Sequence, residues 1–466
     1  MNRDTGESRK RLRPPGTVLD IARKLENAGF ETWCVGGAVR DALLGHPHLD
    51  WDLATAATPK QVRRLFRRTI PVGIEFGTVG VLDDDGTMHE VTTFRRDVRT
   101  DGRHAVVEFG ASLDDDLARR DFTINAIAYS PSAKVIRDPF GGQEDLERGV
   151  VRAVGAAGER MREDRLRALR AIRFASRFDF EIEPATWQAI VSSAPHLGRL
   201  SMERVKQELE KTMEQVARPS RALRLWRESG ALAVLVPALA SVSDTTLAAL
   251  DELPQPSAKS APGQARPDRR MNRFLALFSE LDPEAANATA RSLRFSNADA
   301  SWITSVLARW HAVEGGLRST LLALEGDGRA RAVPDGGGAA GIRPATPPTA
   351  TIRKWVGAMG RTRTRSVLRL AAARFAAERA AEIPAPSAAT MRAVYHEALR
   401  VAFRDPVEIG DLAIDGDDLR AAGIAPGPAL GRVLALLLED VLSDPGRNTR
   451  EWLIPRAHEL YQQLAS

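Results

Sequence analysis

Cysteine is nearly absent from these 466 residues: Cys34 stands alone. That excludes a disulfide framework and any zinc centre built on thiolates. Aromatic side chains make up only 6% of the chain, so its cores must be filled by Leu, Ala, Val and Ile. No apolar run approaches the ~18 residues that suggest a membrane-spanning helix. The N-terminus, Met1 to Gly16, is polar and basic with no apolar stretch behind it, which argues against a secretory leader and for a cytoplasmic protein. Neither sign of charge dominates. There are 66 basic and 61 acidic side chains, a net +5 that alone only hints at an anionic partner such as nucleic acid. The length predicts two to four domains at roughly 100–200 residues each.

What is present divides into two textures. Residues 1–16 read as a disordered arm. From Val18 to about Val154, strand and helix signals alternate. Val18, Ile21, Ala22 and Leu25 have helical spacing, and Gly29 stops the run. Glu31 to Val35 predicts a short strand, Gly36-Gly37 a turn, and Ala38 to Leu44 a helix. Asp50 to Ala54 alternates as a strand. Thr58-Pro59 is an N-cap followed by proline at the first helical position. Gly77 to Leu82 and Met88 to Phe94 predict a hairpin around Asp84-Asp85-Gly86. From about Glu159 the strand signal fades into successive helices: 159–178, 184–194, 201–217, 219–229 and 271–281. Pro254 to Asp268 and Gly326 to Thr351 read as loops, the second equally as a linker.

The chemistry concentrates in Val35-Gly36-Gly37-Ala38-Val39-Arg40-Asp41 and Asp50-Trp51-Asp52-Leu53-Ala54-Thr55. A strand, two glycines and a helix start make a place where backbone N–H groups face a phosphate. Arg40 adds a fixed positive charge. Asp50 and Asp52, two apart on a strand, put their carboxylates on one face, about 6.5–7 Å apart along it. Such hard oxygen ligands suit two Mg²⁺ ions bound together with substrate phosphates. Glu90, on a neighbouring strand, is the candidate third carboxylate. Each piece alone has an ordinary structural reading; their order and spacing together are far more specific.

This joint pattern resembles the class II tRNA nucleotidyltransferase and poly(A) polymerase family, within the polymerase-β-like nucleotidyltransferases. The resemblance is strong over about 32–215 and moderate over 410–455; the middle of the chain, about 235–400, matches nothing. It implies an α+β fold: a polymerase-β-like head, an antiparallel or mixed sheet with helices, followed by an all-α neck, body and tail. It also implies that Asp50 and Asp52 hold the catalytic metals while Gly37 and Arg40 contact the nucleotide. Glu90 rests on geometry alone. The string Asp116 to Ala126 contains Arg119-Arg120-Asp121, two phosphate clamps and an acceptor. Arg120 and Asp121 match family positions that contact triphosphate and ribose. Asp138-Pro139-Phe140-Gly141-Gly142 reads as a structural turn.

Glu163 to Phe174 reads as one amphipathic helix with Asp164, Arg167, Arg170 and Arg173 at every third position. An Asp acceptor and an Arg donor one turn apart match the amine-beside-ring-nitrogen edge shared by cytosine and adenine; uracil and guanine present the reverse. A salt-bridged surface helix would show the same pattern. By resemblance to the family's Glu-Asp-x-x-Arg motif, Asp164 and Arg167 read the base, with Arg170 and Arg173 near the triphosphate. Ser201 to Glu208 reads as a helix start that stabilises the neck. The run Asp417 to Gly431 reads as a helix capped at Gly423, a turn and a new helix, similar to the tRNA-gripping tail of many family members.

The expected domains are therefore an arm (1–16), a nucleotidyltransferase head (17–154), a neck (155–220), a helical body (221–350) and a tRNA-binding tail (351–466). Phe76 to Gly80 resembles the tRNA-maturing branch. Arg95 to Phe109 resembles that branch's flexible loop, thought to help switch from CTP to ATP. These features favour addition of C, C and A to tRNA without a template, using Mg²⁺, CTP and ATP. Poly(A) polymerase and partial CC- or A-adding enzymes stand as alternatives within the family. A non-catalytic RNA-binding protein stands outside it, and the intact Asp50/Asp52 and Asp164/Arg167 pairs argue against that reading. Neither a membrane nor a protein partner is expected.

Overall fold

The computed structural model describes residues 12–46, 50–100, 105–253, 269–326 and 346–465. The chain forms two compact units, 1–217 with 221–237, and 218–220 with 238–466.

In the first unit, α1 (Gly16–Asn27) buries Val18, Ile21, Ala22 and Leu25 along one stripe. There follow β1 (Thr32–Val35), α2 (Gly37–Leu43), β2 (Asp52–Thr55), α3 (Pro59–Leu65), β3 (Thr69–Gly73), β4 (Thr78–Leu82) and β5 (Met88–Thr93). Thr58 and Gln61 form a capping box at the start of α3, with Pro59 at its first position as the sequence predicts. A ribbon of β6 (Arg95–Thr100) and β7 (Ala105–Phe109) precedes α4 (Leu113–Ala118), β8 (Ala128–Ser130), β9 (Val135–Arg137) and α5 (Gly142–Arg148). The seven-stranded sheet has the order β3-β4-β5-β2-β1-β8-β9. Its pairings are antiparallel except β2 with β5, which run parallel. The sheet is thus mixed, as the resemblance implied. One face packs Val35, Ala54 and Phe94 against Leu113 and Leu117 of α4.

Helices then take over: α6 (Ala157–Glu163), α7 (Leu166–Phe178), α8 (Pro184–Ser193), α9 (Met202–Gln215), α10 (Pro219–Glu228) and α11 (Ala231–Leu235). A short parallel pair, β10 (Val150–Val151) with β11 (Glu181–Ile182), ties α7 back to the head. The second unit is helical among its described residues. Its helices are α12 (Asp244–Ala249), α13 (Arg269–Leu277), α14 (Pro283–Ser292), α15 (Asn297–Gly326), α16 (Thr349–Met359), α17 (Thr364–Ala380), α18 (Ala388–Arg404), α19 (Gly416–Ala421), α20 (Pro428–Ser443) and α21 (Arg450–Ala465). None of the described helices is long and apolar enough to cross a membrane.

Several expectations are confirmed locally. Gly142 must be glycine: a Cβ there would fall 2.2 Å from the Thr123 carbonyl oxygen. Asp138 accepts from the Gly142 and Gln143 amides (2.7 and 2.8 Å), so the Asp-Pro-Phe-Gly-Gly turn is structural. In the second unit α19 ends before Gly423, whose φ is +88°, and α20 begins at Pro428, the predicted helical hairpin.

Others need correction. The helix expected over 159–178 is two. Asp164 takes extended angles (φ −146°, ψ 105°), and its Oδ1 accepts from the Leu166 amide (3.0 Å). That local side-chain bond competes with helix continuation and starts α7 afresh. The strand expected from Asp50 begins at Asp52. Of the expected disordered arm, residues 1–11 lie outside the described residues, while Leu12 and Pro14 are buried. The segment 95–109, read as a flexible loop, is a two-stranded ribbon apart from 101–104, which lie outside the described residues. The loop at 254–268 and most of the one at 326–351 also lie outside them.

Candidate active site

Register places the acidic cluster. Val35 pairs with Asp52 across β1 and β2, and Leu53 pairs with Val91 across β2 and β5. Asp52 and Glu90 therefore neighbour one another on one face of the sheet. Asp50 lies two residues before Asp52, beyond the buried Trp51, and is exposed. Burial, then Glu90, then Asp50 push the Asp52 carboxyl up to about 7, and Arg120 only partly offsets them. A carboxylate so crowded by its own sign calls for a cation. Among the described residues no three His, Cys, Asp or Glu side chains converge closely enough to form a metal cage by themselves. The set Asp50, Asp52 and Glu90 fits a divalent ion only where further oxygens come from substrate or water.

The turn before α2 faces this cluster. Gly36 has φ +76° and ψ −140°, a conformation open to glycine. A Cβ there would lie 3.1 Å from the Arg120 guanidinium and 3.7 Å from an Asp52 oxygen. The turn thus brings bare backbone up to one cation and one carboxylate. Arg120 is oriented from behind by the fully buried Asp116, which also holds Arg119.

Arg40 is only 3% exposed. Its Nε donates to Asp41 (2.8 Å), another nitrogen donates to Asn125, and its guanidinium lies against the rings of Phe174 and Phe178 of α7 (5.0 and 4.8 Å to their centroids). Asp41 also accepts from Arg177 (3.1 Å). Arg40 is therefore a keystone between α2 and α7, with Gly37 beside it: a Cβ at Gly37 would lie 3.4 Å from the Arg40 guanidinium. Asp121 is equally engaged. It accepts from the Phe122 amide, from Asn125 (2.8 Å) and from Arg170 (2.8 Å). Burial opposes its charge, but Arg170 and Asn125 win and hold it below the usual carboxylate range. Arg170 also approaches Glu208 of α9 (3.7 Å), and Glu208 takes a 2.6 Å bond from buried Arg173.

At the α6–α7 break, the Asp164 and Arg167 side chains point to different partners. Asp164 accepts from Arg204 of α9 (2.7 Å). Arg167 donates to Glu163 (2.6 Å) and to the Arg119 carbonyl (3.0 Å). The two residues meet through the backbone, where the Arg167 amide donates to the Asp164 carbonyl oxygen (3.0 Å).

The structure thus groups Asp50, Asp52, Glu90, Gly36 and Arg120 at one place. It joins Asp121, Arg170 and Arg173 in a partly buried ladder, and sets Asp164 and Arg167 at the break between α6 and α7. Sequence reasoning missed the partners that hold these groups: Asp41, Asp116, Asn125, Arg204 and Glu208. All five lie inside strings the pattern had singled out, but nothing in one dimension says which group each one holds.

Comparison with known proteins follows the same division. Residues 32–152 match the poly A polymerase head domain, and residues 179–242 match the probable RNA and SrmB-binding site of polymerase A. The CCA-adding enzyme of Geobacillus kaustophilus is 47% identical over 235 residues, which span 49% of this chain and 57% of that protein. A crystal structure of the Bacillus stearothermophilus CCA-adding enzyme in complex with CTP superposes with TM-score 0.68 at 29% identity, over 96% of this chain and 98% of that one. The Thermotoga maritima CCA-adding enzyme complexed with tRNA shares the fold, with TM-score 0.62 at 22% identity and 97% coverage of each chain.

Proposed function

We propose that this chain is a member of the class II tRNA nucleotidyltransferase and poly(A) polymerase family and that it adds C, C and A to the 3′ end of tRNA from CTP and ATP. No nucleic-acid template is used. The observation that carries the reading is the acidic cluster of Asp50, Asp52 and Glu90, set against the Gly36 turn and Arg120. Supporting it are close relatives of the head that act as CCA-adding enzymes, one of them solved with CTP.

Asp50 and Asp52 are the residues that would hold Mg²⁺, which when bound activates the RNA 3′-hydroxyl and neutralises charge on the departing pyrophosphate. Arg120 supplies a fixed positive charge beside the glycine turn, where the triphosphate lies. Asp121, Arg170, Arg173 and Glu208 form a preorganised wall that keeps α7 in place as charge develops. The Asp164 carboxylate accepts from the amine of cytosine or adenine. Arg167 donates to the ring nitrogen after turning away from Glu163. The head (17–154), neck (155–220), body (221–350) and tail (351–466) divide this work. The tail holds tRNA, and the protein acts in the cytoplasm.

The test is a purified-protein assay on tRNA lacking its 3′-terminal CCA, with products sized at single-nucleotide resolution. CTP alone should add C residues, and CTP with ATP should complete CCA and stop. A growing A-tail with ATP alone would mark a poly(A) polymerase instead.

A further inference from the structure

Three consecutive acids, Asp114, Asp115 and Asp116, lie in the first turn of α4, and only the last is buried. Asp114 pairs with Arg137 at the surface, and Asp115 caps the helix with Ser112. Asp116 is closed off from water, and each of its oxygens holds a different arginine. Its Oδ1 accepts from Arg119 (2.7 and 3.0 Å), and its Oδ2 accepts from Arg120 Nη2 (3.1 Å). Burial opposes the Asp116 charge, yet the two guanidinium groups hold its carboxyl below the usual range. Both arginines keep exposed edges, so the carboxylate fixes groups that still reach solvent.

The two arginines lead to different parts of the site. Arg120 stands at the Gly36 turn, where the triphosphate is placed above. Arg119 leads to the base reader: its carbonyl oxygen accepts from Arg167 Nη2 (3.0 Å). Arg167 Nη1 donates instead to Glu163 (2.6 Å) and to the Arg160 carbonyl oxygen (3.2 Å). The two nitrogens are separately bound, so Nη1 is able to leave Glu163 for a base while Nη2 keeps the Arg119 carbonyl oxygen as its pivot. Arg119 and Arg120 are joined by one peptide bond, and Asp116 fixes the side chain on each side of it. We propose that Asp116 is a positioning residue that couples base reading to triphosphate alignment. By clamping Arg119 and Arg120 together, it sets the seat of Arg167 and the reach of Arg120 at once. A base that fits Arg167 is read by the same short segment that holds the triphosphate arginine, and a misfit disturbs both. This role rests on the base reading and triphosphate placement proposed above, and it names the group that joins them.

The experiment measures equilibrium binding of CTP, UTP and inorganic tripolyphosphate to the full chain without tRNA. Asp116→Asn keeps the shape of the side chain, removes its charge and turns a donor toward one arginine. It should weaken tripolyphosphate binding about tenfold or more and shrink the CTP-over-UTP affinity ratio by a similar factor, since each loss is that of a hydrogen bond to a charged group. Arg119→Gln keeps the backbone carbonyl but frees it from the clamp. It should shrink the ratio and leave tripolyphosphate binding at the parent's level. A purely structural Asp116 would lower the melting temperature and the fraction of competent protein, with the affinity ratio of that fraction unchanged. A folded Asp116→Asn that keeps either property overturns the coupling; where that variant fails to fold, an unchanged ratio in Arg119→Gln overturns it. Wild-type protein that binds CTP and UTP equally refutes the base reading and this role with it. Binding that behaves as described in a protein that adds nothing to tRNA refutes the proposed activity and leaves the coupling standing.

Discussion

The acidic cluster in the head and the arginine ladder on α7 lie in the same unit and use the same residue types, yet they treat charge in opposite ways. Along α7, Arg170 and Arg173 each find a carboxylate, and Asp121 is satisfied by Arg170, Asn125 and a backbone amide. Around Asp52 two further carboxylates gather, and one arginine fails to balance them. Balanced buried charge is architecture: removing one partner is costly because the other stays buried. Unbalanced charge costs stability in the empty protein and repays it only when a cationic or charged ligand arrives, which marks a working site.

The two regions should break differently. Asp52→Asn should cut nucleotide incorporation by on the order of 10³-fold or more in a protein that still folds, since the proposed metal site would lose one ionised ligand. Glu208→Ala should act through the fold. It strands buried Arg173, and urea unfolding should show a loss of about 3–5 kcal/mol. If Glu208→Ala kept its stability while losing activity, the ladder would belong to the chemistry rather than the architecture. Asp164→Ala should sit between the two. Loss of its bond to the Leu166 amide at the start of α7 should cost about 0.5–2 kcal/mol. CTP and ATP should lose roughly 10- to 150-fold of their advantage over UTP and GTP in four-way competition. An unchanged preference would remove the α6–α7 break from base reading. Smallest of these is the exposed ribbon pair Arg96–Glu108 (2.8 Å), whose removal should leave the melting temperature of the parent unchanged.

Local rules made much of this legible in the sequence. Thr58-Pro59, the hairpin around Asp84 to Gly86, the Gly36 turn and the amphipathic stripes of α1 and α7 follow from spacing and turn chemistry. So did the neighbouring of Glu90 and Asp52, because strand alternation fixes a face even before a register is known. The break at Asp164 was not legible. Its helical pattern continues unbroken, and only the side chain's bond to the Leu166 amide reveals the stop. Arg40 was misleading for a related reason. An arginine one turn into a phosphate-facing helix looks available, and only tertiary packing shows it clasped by Asp41, Asn125 and two phenylalanines. Arg204 and Glu208 lie 40 and 35 residues from the groups they hold, a separation that no periodicity encodes.

The most direct measurement compares the metal-free stability of wild type and Asp52→Asn as pH rises. A carboxyl whose folded value is raised from 3.8 to about 7 keeps its proton in the folded state while the unfolded chain loses one. Wild type should therefore lose stability relative to Asp52→Asn as pH climbs from about 4 to about 7. The gap should then stay constant, reaching on the order of 1–4 kcal/mol. Parallel curves across that window, or an Asp52→Asn protein less stable than wild type above it, would contradict an unbalanced acidic cluster at the centre of this site.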